Sequence, residues 1–137
     1  MIAYIDASVV LRLVLGQAQP VLWSAITEAV ASVLTQVECL RTLDRLERQG
    51  LLTTAELADR RARTFRLLDG VEVVDINDVV LQRASESFAT PLGTLDAIHL
   101  ATALAWKTSN RRALVLATHD KALATAARAA GLEVVGV

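Results

Sequence analysis

A single cysteine, Cys39, in 137 residues excludes an internal disulfide and a multi-cysteine zinc site, so the fold must hold by packing alone. Charge of one sign is not in excess either: 14 Lys and Arg stand against 15 Asp and Glu, a formal net charge of −1. That balance argues against a general polyanion binder, whose affinity rests on many phosphate contacts, but is compatible with a local basic face. Mean hydropathy is +0.42, yet no run reaches the roughly 18 uncharged apolar residues that a membrane span needs. The opening string MIAYIDASVVLRLVL meets Asp6 and Arg12 before an apolar stretch of signal length builds up, and it has no basic leader. A cytoplasmic location is the expectation. Linkers, internal repeats and low-complexity stretches are lacking as well, so residues 1–137 read as a single domain.

What the chain does have is 53% hydrophobic residues with 21% charged, the mix of a packed globule rather than a disordered segment. By surface-to-volume scaling, folding at this length buries roughly two-thirds of the area that the unfolded chain exposes. Short β-branched runs alternate with helical patterns. Strands are predicted over 2–5, 30–34, 71–76, 113–117 and 132–137. Helices are predicted over 8–15, 20–28, 37–49, 53–68, 77–89, 94–106 and 121–130, with Gly50 where a helix-terminating glycine belongs. Strands such as Leu114-Val115-Leu116 are almost wholly apolar, as expected when helices cover both faces of a parallel sheet. The fold class is three-layer α/β/α.

In open α/β sheets the ligand site lies outside the carboxyl ends of the strands, where the winding reverses. Four acids stand at such positions: Asp6 after the first strand, Glu38 in the first turn after the second, Asp96 in the first turn of the helix from Thr94, and Asp120 after the fourth strand. Each has an ordinary structural reading. Asp6 and Asp120 suit N-caps, Thr35-Gln36-Val37-Glu38 reads as a capping box, and Asp96 follows a plausible cap at Thr94 and favours the positive end of its helix. Together they read differently. Carboxylates gathered in one crevice repel and raise one another's pKa unless a cation neutralises them, and an all-oxygen set suits Mg²⁺ or Mn²⁺. Such ions serve phosphodiester cleavage by activating water and stabilising the leaving oxygen. Ser8 and Thr118 could orient the carboxylates from behind.

The strings YIDASVVLRL, SVLTQVECLRTL, LGTLDAIHLATAL and LVLATHDKAL resemble the PIN domain, and in particular the VapC-type ribonuclease toxins of bacterial toxin–antitoxin pairs. The resemblance runs along nearly the whole chain. It implies a five-stranded parallel sheet of order 3-2-1-4-5 and a Mg²⁺- or Mn²⁺-dependent endoribonuclease. Asp6, Glu38 and Asp96 match the family's core metal-site acids, Asp120 in its Thr-x-Asp element matches the fourth, and Ser8 and Thr118 match the supporting hydroxyls. It also implies an RNA substrate, a small cognate antitoxin that covers the active site, and a homodimer. The arginine-rich hairpin over 37–68 is the place to look for a partner surface. One departure is Lys121-Ala122-Leu123, where the family often has an aromatic shortly after the last acid.

Other residues attract attention for less. Under the implied strand order Asp75 and Asp78 lie at the sheet edge and read as helix entry rather than ligands. His99, on the same helix face as Asp96, reads as a satisfied, partly buried imidazole before a ligand. His119-Asp120 resembles the pair of HD-type phosphohydrolases, which need further histidines that this chain does not supply. Cys39 reads as a small buried hydrophobe rather than a nucleophile, and Trp23 and Trp106 as core or interface anchors rather than base-stacking platforms. Arg41, Arg45 and Arg48 form one stripe on the Glu38 helix, and Arg60, Arg61, Arg63 and Arg66 enrich the next. With acidic neighbours they read as a solvated face, although the first stripe is placed to guide a phosphate backbone. A haloacid-dehalogenase-like phosphatase would want an acid where Ser8 stands. A phospho-acceptor receiver would want an acidic pair after the first strand and a lysine after the fifth. A catalytically weak scaffold that binds RNA or protein stays open as the alternative to the nuclease.

Overall fold

In the computed structural model, which describes residues 1–18 and 23–137, five short segments pair into one sheet. They are β1 (Ile2–Ile5), β2 (Glu28–Ser32), β3 (Glu72–Val74), β4 (Val115–Ala117) and β5 (Glu133–Val135). Every pairing is parallel and the order is β3-β2-β1-β4-β5, as the resemblance implied. Among the described residues, six helices connect them: α1 (Ala7–Val14), α2 (Val33–Arg48), α3 (Thr54–Asp69), α4 (Asp78–Ala84), α5 (Thr94–Asn110) and α6 (Lys121–Ala129). The chain winds outward from β1 through β2 to β3, then returns by α4 and α5 to lay β4 on the other side of β1. The winding therefore reverses between β1 and β4.

The two-residue period of the strands sorts the core into two layers. Ala3, Ile5, Ala31 and Ala117 face α1, α2 and α3, where they meet Val9, Val10, Val14, Cys39, Leu43 and Leu68. Tyr4, Val30 and Leu116 face the opposite way and meet Leu100, Ala103 and Trp106 of α5 and Leu123, Ala126 and Ala127 of α6. Both faces are covered over the central strands β1 and β4, which is why those strands read as continuous apolar runs. Trp106 is buried and its indole N–H donates to Glu72 Oε1 at 3.0 Å, and Trp23 is half-buried against the first layer, so both act as packing anchors. Among the described residues, no helix is long and apolar enough to cross a membrane.

Several boundaries differ from the sequence expectation. The apolar run from Val30 to Leu34 straddles a strand and a helix. β2 ends where its pairing with β3 ends, at Ser32 opposite Val74, and Ser32 Oγ then accepts the Leu34 amide at 3.1 Å to start α2. The helix thus begins four residues earlier than expected, and Thr35-Gln36-Val37-Glu38 is not a capping box but part of its first two turns. The capping box instead opens α3: Thr53 Oγ1 accepts from the Glu56 amide at 3.1 Å and Glu56 Oε1 from the Thr53 amide at 3.0 Å. The cap of α5 is Gly93, with no side-chain bond, rather than Thr94. Of the helix expected over 20–28, Pro20 to Leu22 lie outside the described residues, Trp23–Ala25 form a single 3-10 turn, and Glu28 already belongs to β2. Asn77 caps α4 as its side chain suggests, through the Val80 amide at 2.9 Å, but the helix stops at Ala84 rather than continuing to 89. Gly50, at φ 73° beyond the C-cap Gln49, takes the backbone conformation that glycine reaches without steric cost.

Leu116, fully buried at the centre of the second layer, tests this packing. Leu116→Ala is expected to lower stability by about 2–5 kcal/mol, seen as a lower urea midpoint at an unchanged slope.

Candidate active site

The reversal of winding leaves the carboxyl ends of β1 and β4 side by side, because Ile5 pairs with Ala117. The residues that leave those two strands are polar, and they bind one another. Asp6, nearly fully buried, donates its amide to Ala117 O at 3.3 Å and points its carboxylate between two hydroxyls. Ser8 Oγ donates to Oδ1 at 2.6 Å and Thr118 Oγ1 donates to Oδ2 at 2.5 Å. The Val9 amide adds a third bond, to Oδ1 at 3.2 Å, so Asp6 is the N-cap of α1 as well. Each hydroxyl in turn accepts one amide from the β4 exit: Ser8 Oγ from His119 and Thr118 Oγ1 from Asp120, both at 2.9 Å. The result is a closed ring of bonds joining the two strand ends.

Around that ring lies a cavity of about 200 Å³ lined by Asp6, Ala7, Ser8, Leu11, Glu38, Thr42, Asp96, His99 and Asp120. All four acids singled out from the sequence border it, and each arrives on a different element. Glu38 comes from the second turn of α2, Asp96 from the first turn of α5, and Asp120 from the N-cap of α6, where its Oδ1 accepts the Leu123 amide at 2.8 Å. Thr118 supports Asp6 from outside the lining. A larger cavity of about 720 Å³ lies between α4, the following loop and the start of α5, but Glu86 is the one titratable residue that lines it. The acids gather in the smaller one.

Burial, followed by the charge of Asp120 and then those of Asp6 and Glu38, pushes the Asp96 carboxyl above its ordinary value, with His99 pulling the other way. Asp96 also accepts no hydrogen bond from the described residues. Its partners are spent elsewhere: Asp6 on the hydroxyls, Asp120 on its own helix, and Glu38 on His99, whose Nε2 stands 2.5 Å from Glu38 Oε1. Accordingly, among the described residues, no three His, Cys, Asp or Glu side chains are drawn close enough together to hold a metal ion. The donor chemistry nevertheless fits a hard cation. The acids offer only carboxylate oxygens, they raise one another's proton affinity at Asp96, and a divalent ion would relieve that repulsion.

The remaining sequence candidates separate cleanly. Asp75 and Asp78 follow the edge strand β3 and do not line the cavity. Cys39 is fully buried, its Sγ 3.8 Å from Ala7 O, and burial together with the charges of Glu38 and Asp6 pushes the thiol up to about 12, so it is no nucleophile. His119 Nδ1 is bonded to Gly136 O at 2.9 Å, which ties the ring to the end of the sheet. Arg41 and Arg48 are exposed and share Asp44, at 3.8 and 3.2 Å, while Arg60 and Arg63 share Asp59, at 2.5 and 3.0 Å. His99 is the satisfied imidazole that the sequence favoured over a ligand, buried fully rather than partly, and it also lines the cavity. Its second partner, Tyr4, was invisible from the sequence because 95 positions separate them.

Removing the Asp96 charge has a consequence for stability with a definite sign. A carboxyl whose pKa is raised by folding makes the folded state lose stability as pH rises from the unfolded pKa through the folded one. Asp96→Asn is therefore expected to raise the thermal midpoint in chelated buffer at neutral pH, with the gain vanishing below the ordinary carboxylate range. Melting curves of both proteins across pH 3–8 check this; a gain that persists at acidic pH would contradict it.

The PIN domain family model matches residues 3–129. Comparison with curated proteins gives no match. Among solved structures, the chain is similar to FitAcB from Neisseria gonorrhoeae (TM-score 0.71, 17% identity, covering 97% of this chain and 96% of that one). It is also similar to VapBC2 from Rickettsia felis, solved bound to a DNA fragment from their promoter (0.68, 12% identity, 98% and 97%). A toxin–antitoxin complex from Klebsiella pneumoniae is a more distant likeness (0.56, 20% identity, 89% and 90%). With the family model running from β1 through α6 and over all four cavity acids, the chain belongs to the PIN domain family, whose members are generally nucleases.

Proposed function

We propose that this chain is a divalent-cation-dependent endoribonuclease and the toxin of a VapBC-type toxin–antitoxin pair. One observation carries the reading: four carboxylates from four separate elements line a single cavity at the carboxyl ends of β1 and β4. Nothing in ordinary folding requires Asp6, Glu38, Asp96 and Asp120 to meet, and their mutual repulsion costs stability. Mg²⁺ or Mn²⁺ held by these four would supply activation of water and neutralisation of charge at the phosphodiester. The protein's own contribution is positional. Ser8 and Thr118 hold both oxygens of Asp6, His99 holds one oxygen of Glu38, and Asp96 lines the cavity wall with a carboxylate that accepts no bond from the described residues.

The toxin assignment draws on the resemblance in sequence and on the likeness to structures that include a toxin–antitoxin complex. An antitoxin needs apolar surface to cover, and the α2–α3 hairpin exposes Val37, Leu51 and Phe65 beside its arginines. An RNA substrate, a cytoplasmic location and a homodimer follow from the same reading. The second reading, a scaffold that binds RNA without cutting it, predicts binding with no metal-stimulated cleavage.

Purified protein is expected to cleave RNA in Mg²⁺ or Mn²⁺ and to stop on chelation. Asp6→Asn and Asp120→Asn should each lower the rate at least about 100-fold, beyond the 10–100-fold typical of groups that only support ligands. Asparagine remains a good N-cap at Asp120, so that variant separates chemistry from folding. Parental rates in both variants would sink the assignment.

A further inference from the structure

Among the described residues, each cavity acid but Asp96 has a holder, and the holder of Glu38 is the least expected. Asp6 is clamped by two hydroxyls and Asp120 by the amide of its own helix. Glu38 is the longest of the four, with the most rotamer freedom to lose, and its side chain is a quarter exposed. Yet its Oε1 is pinned by His99 Nε2, and His99 Nδ1 is pinned in turn by the Tyr4 phenol at 2.8 Å. Tyr4 and His99 are both almost completely buried, and their rings meet edge to face at 5.9 Å and 71°. We infer that Tyr4 and His99 form a strut running from the centre of the sheet to the cavity wall, positioning the Glu38 carboxylate for a divalent cation.

In a neutral His99 ring the bond pattern singles out one arrangement of protons. A carboxylate accepts only, so the hydrogen on His99 must sit on Nε2, facing Glu38. Nδ1 then carries a lone pair, and the Tyr4 hydroxyl donates to it. The arrangement leaves Glu38 Oε2 without a partner among the described residues, and so uncommitted. A His held by a second group and aimed at a ligand carboxylate is the way many sites fix the first atoms that touch an ion. β1, whose centre carries Tyr4, is also the strand that delivers Asp6. One rigid element therefore sets two of the four acids.

The inference rests on the cation-dependent reading above, and its test separates the two. Mn²⁺ binding to the full chain is followed by the loss of the free-ion EPR signal, without RNA. The double variant Tyr4→Phe/His99→Leu removes both partners of the buried bond and leaves Glu38, which is a quarter exposed, to be satisfied by water, so the fold is spared. It should weaken Mn²⁺ binding about 10–100-fold relative to the parent. His99→Gln, which can still donate to Glu38, should restore much of that affinity, and Tyr4→Phe alone should fall between. A folded double variant with parental Mn²⁺ affinity would overturn the strut while leaving the metal reading intact; a parent with no saturable Mn²⁺ binding would overturn both. Nitrogen-15 shifts of the His99 ring in metal-free protein give an independent readout. The Nε2–H tautomer is expected, and the Nδ1–H tautomer overturns the inference whatever the ion does.

Discussion

The site depends on a buried carboxylate held between two hydroxyls. Asp6 receives Ser8 on one oxygen and Thr118 on the other, and those hydroxyls accept the amides of residues 119 and 120. A buried charge without such partners costs far more than a surface one, so this ring of bonds lets β1 and β4 end beside each other in a polar turn rather than an apolar one. The remaining acids are arranged around this junction. α5 returns the chain to β4, and its first turn carries Asp96 to the cavity; α6 leaves from β4 with Asp120 as its cap.

Capping and site building are the same act at two of these positions. Asp6 and Asp120 each accept an amide at the start of a helix, which is what their sequence context suggests, and each also lines the cavity. The structural and the functional reading do not compete there, because the helix amide takes Oδ1 in each, while Oδ2 of Asp6 goes to Thr118 rather than to the helix. Glu38 is different. It caps nothing, stands in the second turn of α2, and is held by side chains from β1 and α5 instead.

The alternation of strands and helices, the covered faces of the central strands, and the standing of the acids at element starts were legible in the sequence because they are local. The position of Glu38 was misread because Val30 to Leu34 is uniformly apolar: a periodicity argument cannot see where a strand turns into a helix, and only the end of pairing with β3 and the Ser32 cap decide it. The loop after Ala84 was read as helix for a similar reason, since residues 85–89 carry no glycine or proline to mark the stop. The pairings of Thr118 with Asp6 and of His99 with Tyr4 span 112 and 95 positions. They exist only because the sheet brings β4 and α5 back against β1, and no short-range signal encodes them.

The strand order also has a temporal consequence. Of the strands, synthesis delivers β1 first, but its neighbour on the cavity side is made more than a hundred residues later, at Val115–Ala117. Until that segment leaves the ribosome and inserts beside Ile5, Asp6 has no Thr118 to hold its second oxygen, and Asp120 does not yet exist near it. A nascent chain thus carries Asp6 through the synthesis of more than a hundred further residues before the second hydroxyl that holds it exists.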